Sequence, residues 1–279
     1  MLSCAGRGRW AIAVVVGGGV GMIVTLGSIR GSPGVTSWSL LLAAAWPSSY
    51  GVERVVLEAD LSGGVLGARY GLGVDPGVVS LIAALRRSDD RTVAVDGHGR
   101  RAGDEVWVVP GPETGEQART VWSGTSEGVA ARLAADDRVW LVDAGRLDSA
   151  SPTLSLARRA RLSIIVCGPS AEDLVQVPAR VATLAQHAAV VGVLVVGKVR
   201  HSVVELVEFV GTNAVWTVGS SDELGALAGA VLAGGRARRS WVWRTAVEVA
   251  ADVAAIAHSP VTDPHFISNG HAVDVDGRR

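Results

Sequence analysis

Seven short runs dominated by Val, Ile and Leu recur along the chain, at 22–28, 54–59, 105–109, 138–142, 162–167, 190–196 and 214–218. Most are continuous rather than alternating, which is the pattern of strands buried on both faces, and such strands belong to parallel sheets covered by helices on either side. The stretches between them read as helices at 36–46, 76–87, 124–135, 152–160, 170–187, 221–233 and 240–258. Pro47 should stop the first of these. Asp75 is a natural N-cap and Pro76 a natural first helical residue for the second. Pro178 should kink or break the fifth. Strand–helix alternation of this kind predicts an α/β domain with a doubly wound, mostly parallel sheet and helices on both faces.

The alternation spans 22–258, and that length suits one large core rather than two. The apolar content of 48% fits strands shielded from water on both sides. Segment 88–104 is polar and contains glycine, and reads as a surface loop or hairpin. Residues 259–279 carry no periodicity and are expected to be a disordered tail. Residues 10–26 form an apolar run behind Arg7 and Arg9, as a signal peptide or anchor would. The run is broken by glycines and falls short of the roughly 20 residues a membrane span needs. Residues 1–21 are therefore expected to be a disordered extension or a misassigned start, and the protein is expected in the cytoplasm, with at most peripheral contact with a membrane. Cys4 and Cys167 make no disulfide framework, in keeping with a reducing compartment. A formal net charge of −1 excludes a chain built throughout to coat nucleic acid.

Three segments carry the chemistry. The first run passes through Ser28-Ile29-Arg30-Gly31-Ser32-Pro33-Gly34-Val35-Thr36-Ser37 directly into an apolar helix. A small-residue loop at a helix N-terminus converges backbone N–H groups and dipole on an anion. The second segment, Glu58-Ala59-Asp60-Leu61-Ser62-Gly63-Gly64, lies at the end of the second run, and the third, Val142-Asp143-Ala144-Gly145, past the end of the fourth. Carboxyl ends of strands form the ligand crevice of an open α/β sheet. A hydroxyl (Thr36) and two carboxylates (Asp60, Asp143) delivered there match the oxygen donors that Mg²⁺ and a phosphate chain require.

With these motifs, the chain resembles the ParA/MinD family of deviant Walker P-loop ATPases over roughly 22–258. The family loop reads K-G-G-x-G-K-T/S. The resemblance implies ATP or ADP with Mg²⁺ as cofactors, with Arg30, Gly31, Ser32, Gly34, Val35, Thr36 and Ser37 along the phosphate loop. Arg30 falls at the signature lysine, which in the family reaches the partner subunit's phosphates. Val35 falls at the general P-loop lysine, and Thr36 and Asp143 fall at the Mg²⁺ ligands. Asp60 matches the acid that positions the attacking water, and Glu58 replaces the first acid of the family's D-x-D. Gly197-Lys198 stands where the family often has an Asn for the base, and the stretch from Ser220 to Gly229 resembles the loop and helix near the base.

The departures define what the resemblance implies about activity. Val35 removes the ammonium that bridges the terminal phosphates, and Pro33 removes a backbone donor from the cradle. The expected function is therefore a nucleotide-binding spatial-organisation factor that hydrolyses weakly or not at all, similar to the TadZ/CpaE-like relatives. It would act in chromosome partitioning, septum placement or positioning of pilus and secretion machinery, as a homodimer with a protein partner. Two alternatives stand beside it, a nucleotide-free scaffold of the same fold and an active ATPase using Arg30. Finally, Arg236, Arg238, Arg239 and Arg244, interleaved with Trp241 and Trp243, could meet DNA backbone or acidic lipid. A solvated helix start with inward-packed Trp rings is the better reading of that cluster.

Overall fold

The structure, a computed structural model, describes residues 21–259 apart from 32, 72, 74, 88–92, 103–105, 221 and 233. Its strands are β1 (Met22–Ser28), β2 (Arg54–Glu58), β3 (Arg100–Arg101), β4 (Val106–Val109), β5 (Val139–Arg146), β6 (Leu162–Cys167), β7 (Val190–Val196) and β8 (Ala214–Val218). They form one eight-stranded sheet in the order β3-β4-β2-β5-β1-β6-β7-β8. Every neighbouring pair is parallel except the short β3 against β4. The seven Val/Ile/Leu runs are thus all strands, in the doubly wound architecture that their continuity implies.

Two cores follow from the two-residue period of a strand. Along β1, Met22, Val24 and Leu26 enter the core on one face while Ile23 enters the other. The first face is covered by α1 (Val35–Ala45), which buries Trp38 and Leu41 completely, together with two helices from the end of the chain. Each such side chain contributes roughly 1.5–3 kcal/mol on burial. Helix α1 stops one residue before Trp46-Pro47, as proline dictates.

The remaining helices are α2 (Leu66–Tyr70), α3 (Val78–Arg87), α4 (Gly115–Trp122), α5 (Ser126–Ala135), α6 (Leu154–Arg158), α7 (Ala171–Leu174), α8 (Val177–Leu184), α9 (Val203–Val210), α10 (Leu224–Leu232) and α11 (Trp241–His258). Of these, α10 and α11 join α1, while α3, α5, α6, α8 and α9 bury their apolar stripes on the opposite face. Among the described residues, no helix is long and apolar enough to cross a membrane.

Several expectations are corrected. Helix α3 starts at Val78 rather than Pro76, where the Ser80 hydroxyl bonds the backbone N–H and carbonyl of Gly77 at the helix start. The fifth expected helix, 170–187, is broken into α7 and α8, one of the two outcomes expected of Pro178, which falls in the first turn of α8. Strand β5 continues to Arg146, which places Asp143 within the strand instead of beyond it. The polar segment 88–104 supplies β3, antiparallel to β4, and its residues 88–92 and 103–104 lie outside the described residues. So do 1–20 and 260–279, on which the expected extension and tail fall.

Candidate functional site

The carboxyl edge of the sheet brings together the segments that follow β1, β2 and β5. Gly31 and Gly34 both adopt left-handed backbone, with φ of 64° and 95°. That conformation turns the chain from β1 into α1, and a Cβ on Gly34 would lie 2.8 Å from the Leu224 side chain of α10. Helix α1 begins with no side-chain cap and no acidic residue in its first turn. Its first N–H groups and the positive end of its dipole are therefore left to an incoming anion. Ser32 lies outside the described residues.

Asp143 is wholly inaccessible to solvent. Its Oδ1 accepts a hydrogen bond from Gly145 N at 3.1 Å, whereas its Oδ2 is buried without a partner. Burial pushes the carboxyl up to about 7; the Thr36 hydroxyl beside it opposes that shift, and the nearby Glu58 and Asp60 reinforce it. An orphaned carboxylate oxygen next to a hydroxyl is a costly arrangement unless a cation completes it. Thr36 and Asp143 therefore fit a Mg²⁺ ion, which prefers oxygen ligands.

Asp60 sits across β2 from this pair. The register sets Glu58 opposite Asp143, and Ala59 N donates to the Asp143 carbonyl at 2.7 Å. The Asp60 Oδ1 accepts from Ser62 N at 2.8 Å, which turns the loop back on itself. Its carboxyl group lies against Gly145, where a Cβ would fall 2.2 Å from Asp60 Cγ. With φ of 59° there as well, Gly145 is needed both for its conformation and for its missing side chain. Thr36, Asp60 and Asp143 thus gather at one point of the sheet edge.

Glu58 is placed differently from what its correspondence to a D-x-D acid implies. Its Oε1 accepts from Val65 N at 2.7 Å and Leu66 N at 3.0 Å, and its Oε2 from Gly111 N at 2.8 Å. Burial pushes its pKa up while those three backbone bonds oppose the shift. Glu58 therefore ties the loop after β2, the start of α2 and the loop after β4 together, and leaves Asp60 as the carboxylate facing the crevice. The only sequence signal for this role is an acid at the last position of an apolar strand.

The other loop residues diverge. Val35 is buried in the apolar cluster beneath α1. Ser37 is also buried, on the first turn of α1. Arg30 is exposed, and its Nη1 donates to the Glu172 carbonyl on α7 at 3.1 Å. Lys198 is exposed just past β7. At the α10–α11 corner Arg236, Arg238, Arg239 and Arg244 are all exposed. Trp241 packs on Gly219, and the Arg238 guanidinium lies 5.4 Å from the centre of the Trp243 ring. The rings are half-buried and the charges solvated.

No family model and no curated protein matches the sequence. Solved structures do. A ParA family ATPase from Chlorobium tepidum superposes with a TM-score of 0.66 at 15% identity, over 83% of this chain and 98% of that one. The septum site-determining protein MinD from Pyrococcus horikoshii, complexed with Mg-ADP, gives 0.65 at 15% identity, over 85% and 97%. A variant of McdA from Cyanothece, in complex with ATP, gives 0.62 at 14%, over 83% and 97%. The strand order, the glycine turn into α1 and the length of these superpositions lead to one conclusion: the chain has the fold of the ParA/MinD P-loop ATPases.

Proposed function

We propose that this chain is a spatial-organisation protein of the ParA/MinD type that binds ATP or ADP with Mg²⁺ and turns nucleotide over at or below detection. The observation that carries the reading is the pairing of an orphaned Asp143 oxygen with Thr36 beneath an uncapped helix, while the adjacent position that should bear an ammonium is the core residue Val35. A bound Mg²⁺ would neutralise charge on the terminal phosphate oxygens. Thr36 and Asp143 would hold it, the N–H groups of the loop and of α1 would receive the phosphates, and Asp60 would face the terminal phosphate. Phosphoryl transfer rests almost wholly on positioning and charge neutralisation, so the missing ammonium weighs more on turnover than on binding. Arg30 supplies charge at the rim, but a guanidinium held by α7 does not replace an ammonium inside the loop.

In this reading the protein works in the cytoplasm as a homodimer that engages a protein of a partitioning, division or secretion-positioning system. Any contact with DNA or a membrane surface would come from the α10–α11 arginines. The burial of Val35 equally favours a scaffold that has dispensed with nucleotide. Phosphate release by the full chain with ATP and Mg²⁺ tests the proposal. Turnover should stay at background and Asp60→Ala should leave it there, whereas robust activity that collapses on Asp60→Ala would establish a true ATPase.

A further inference from the structure

Carboxylates dominate the crevice at the carboxyl edge. Asp60, Asp143 and Glu58 stand there, while Val35 brings an apolar side chain to the loop that would receive a phosphate chain. Two basic side chains along this edge are badly placed to offset that charge. Arg30 is held by the Glu172 carbonyl, and Lys198 follows β7, which β6 separates from β1. Arg146 is placed differently. It is the last residue of β5, the strand that carries Asp143 and lies directly beside β1.

A bulge in β5 decides which way Arg146 faces. Leu26 of β1 pairs with Asp143, yet Ser28, two residues on, pairs with Arg146, three residues on. Gly145 takes up the extra residue with its left-handed backbone. Before the bulge, Trp140, Val142 and Ala144 alternate into the core on the face away from α1, and unbroken alternation would send residue 146 after them. Leu147 enters that core instead, and its N–H donates to the Ser28 carbonyl at 2.9 Å. Arg146 is thereby turned to the face that carries Leu26, Asp143 and α1. The register says the same, since Leu26 lies in the core under α1 and Ser28 follows it on that face. Arg146 is exposed, and its side chain makes no hydrogen bond or ion pair among the described residues. The unpartnered, fully buried Asp143 Oδ2 and the uncapped start of α1 stand on the same face, and both call for a ligand there.

We propose that Arg146 binds the terminal phosphate of the nucleotide held by the loop, an inference that rests on the nucleotide-binding reading above. Its planar fork of N–H donors matches two phosphate oxygens at once. It approaches from the neighbouring strand, so it grips the outer oxygens of the last phosphate and does not bridge two phosphates from inside the loop. The bulge thus supplies from β5 a charge that position 35 lacks, and it favours a triphosphate over a diphosphate.

Calorimetric titration of the full chain with ATP and with ADP, both with Mg²⁺, tests this in wild type, Arg146→Gln and Arg146→Lys. Arg146→Gln should weaken ATP about ten- to a hundredfold and ADP clearly less, so that the preference for ATP narrows or disappears. Arg146→Lys keeps the charge without the fork and should recover part of the loss. Melting temperature without nucleotide should be the same in all three, because the side chain holds nothing in the fold. Wild-type binding of ATP that Arg146→Gln leaves unchanged overturns this inference and leaves the nucleotide-binding reading standing. Equal losses for ATP and ADP also overturn it, since they place the contact elsewhere than on the terminal phosphate. A wild type that binds neither nucleotide overturns both readings together.

Discussion

Replacing Asp143 with Asn should make the protein more stable above neutral pH while removing its response to Mg²⁺. The carboxyl is fully buried and pushed up to about 7 from an ordinary 3.8, burial being the main cause. A group raised in the folded state binds its proton more tightly there than in the unfolded chain. Its contribution is complete below the unfolded value and is lost as pH rises through the folded one. At about 1.4 kcal/mol per pH unit, a shift of this size makes stability fall by about 4 kcal/mol between pH 4 and pH 8. Asparagine keeps an oxygen for Gly145 N and has no proton to lose. Urea denaturation of wild type and Asp143→Asn across that range isolates the effect, since every other titrating group is common to both. The wild-type curve should decline relative to the variant by that amount. Mg²⁺ should raise wild-type stability at pH 8 and leave the variant unchanged. Parallel pH curves would refute the reasoning, as would a variant less stable than wild type at pH 8.

Glu58→Ala removes the acceptor of three backbone N–H groups, and hydrogen bonds to a charged group are worth about 1.5–3 kcal/mol each before non-additivity. A net loss of about 3–5 kcal/mol would lower Tm by roughly 6–20 °C, measurable by calorimetry, and a change under about 2 °C would contradict the clamp. Gly145→Ala places a methyl on the Asp60 carboxyl at a left-handed φ, so it should both destabilise the fold and weaken Mg²⁺ binding, read by melting with and without the ion. Val35→Lys restores a charged phosphate partner and should tighten ATP binding about ten- to a hundredfold by calorimetric titration, if its stem leaves the core for the loop.

Whatever rests on local pattern is legible in the sequence. Continuous Val/Ile/Leu runs mark all seven long strands because a strand buried on both faces has no polar positions to obscure it. Two helices of ordinary length nonetheless escape that reading. Helix α9 is opened by a full capping box, Ser202 with Glu205, and α4 by Thr114 accepting from Gln117 N; both signatures stand in the sequence. At the site, Thr36, Asp60 and Asp143 are found from their places after strands, and the sheet does gather them. The clamp made by Glu58 is not legible, because its partners at 65, 66 and 111 are set by tertiary packing. Arg30 reads as a loop position, and its bond to the Glu172 carbonyl depends on where α7 comes to lie.

Calorimetric titration of the full chain with ATP and with ADP, once with Mg²⁺ and once with EDTA, bears most directly on the proposed nucleotide site. Weak binding that requires Mg²⁺ is expected, because the orphaned Asp143 oxygen and Thr36 supply the metal site while Val35 supplies no charge. Affinity that is equal with and without the metal, or no binding of either nucleotide at any accessible concentration, would contradict it.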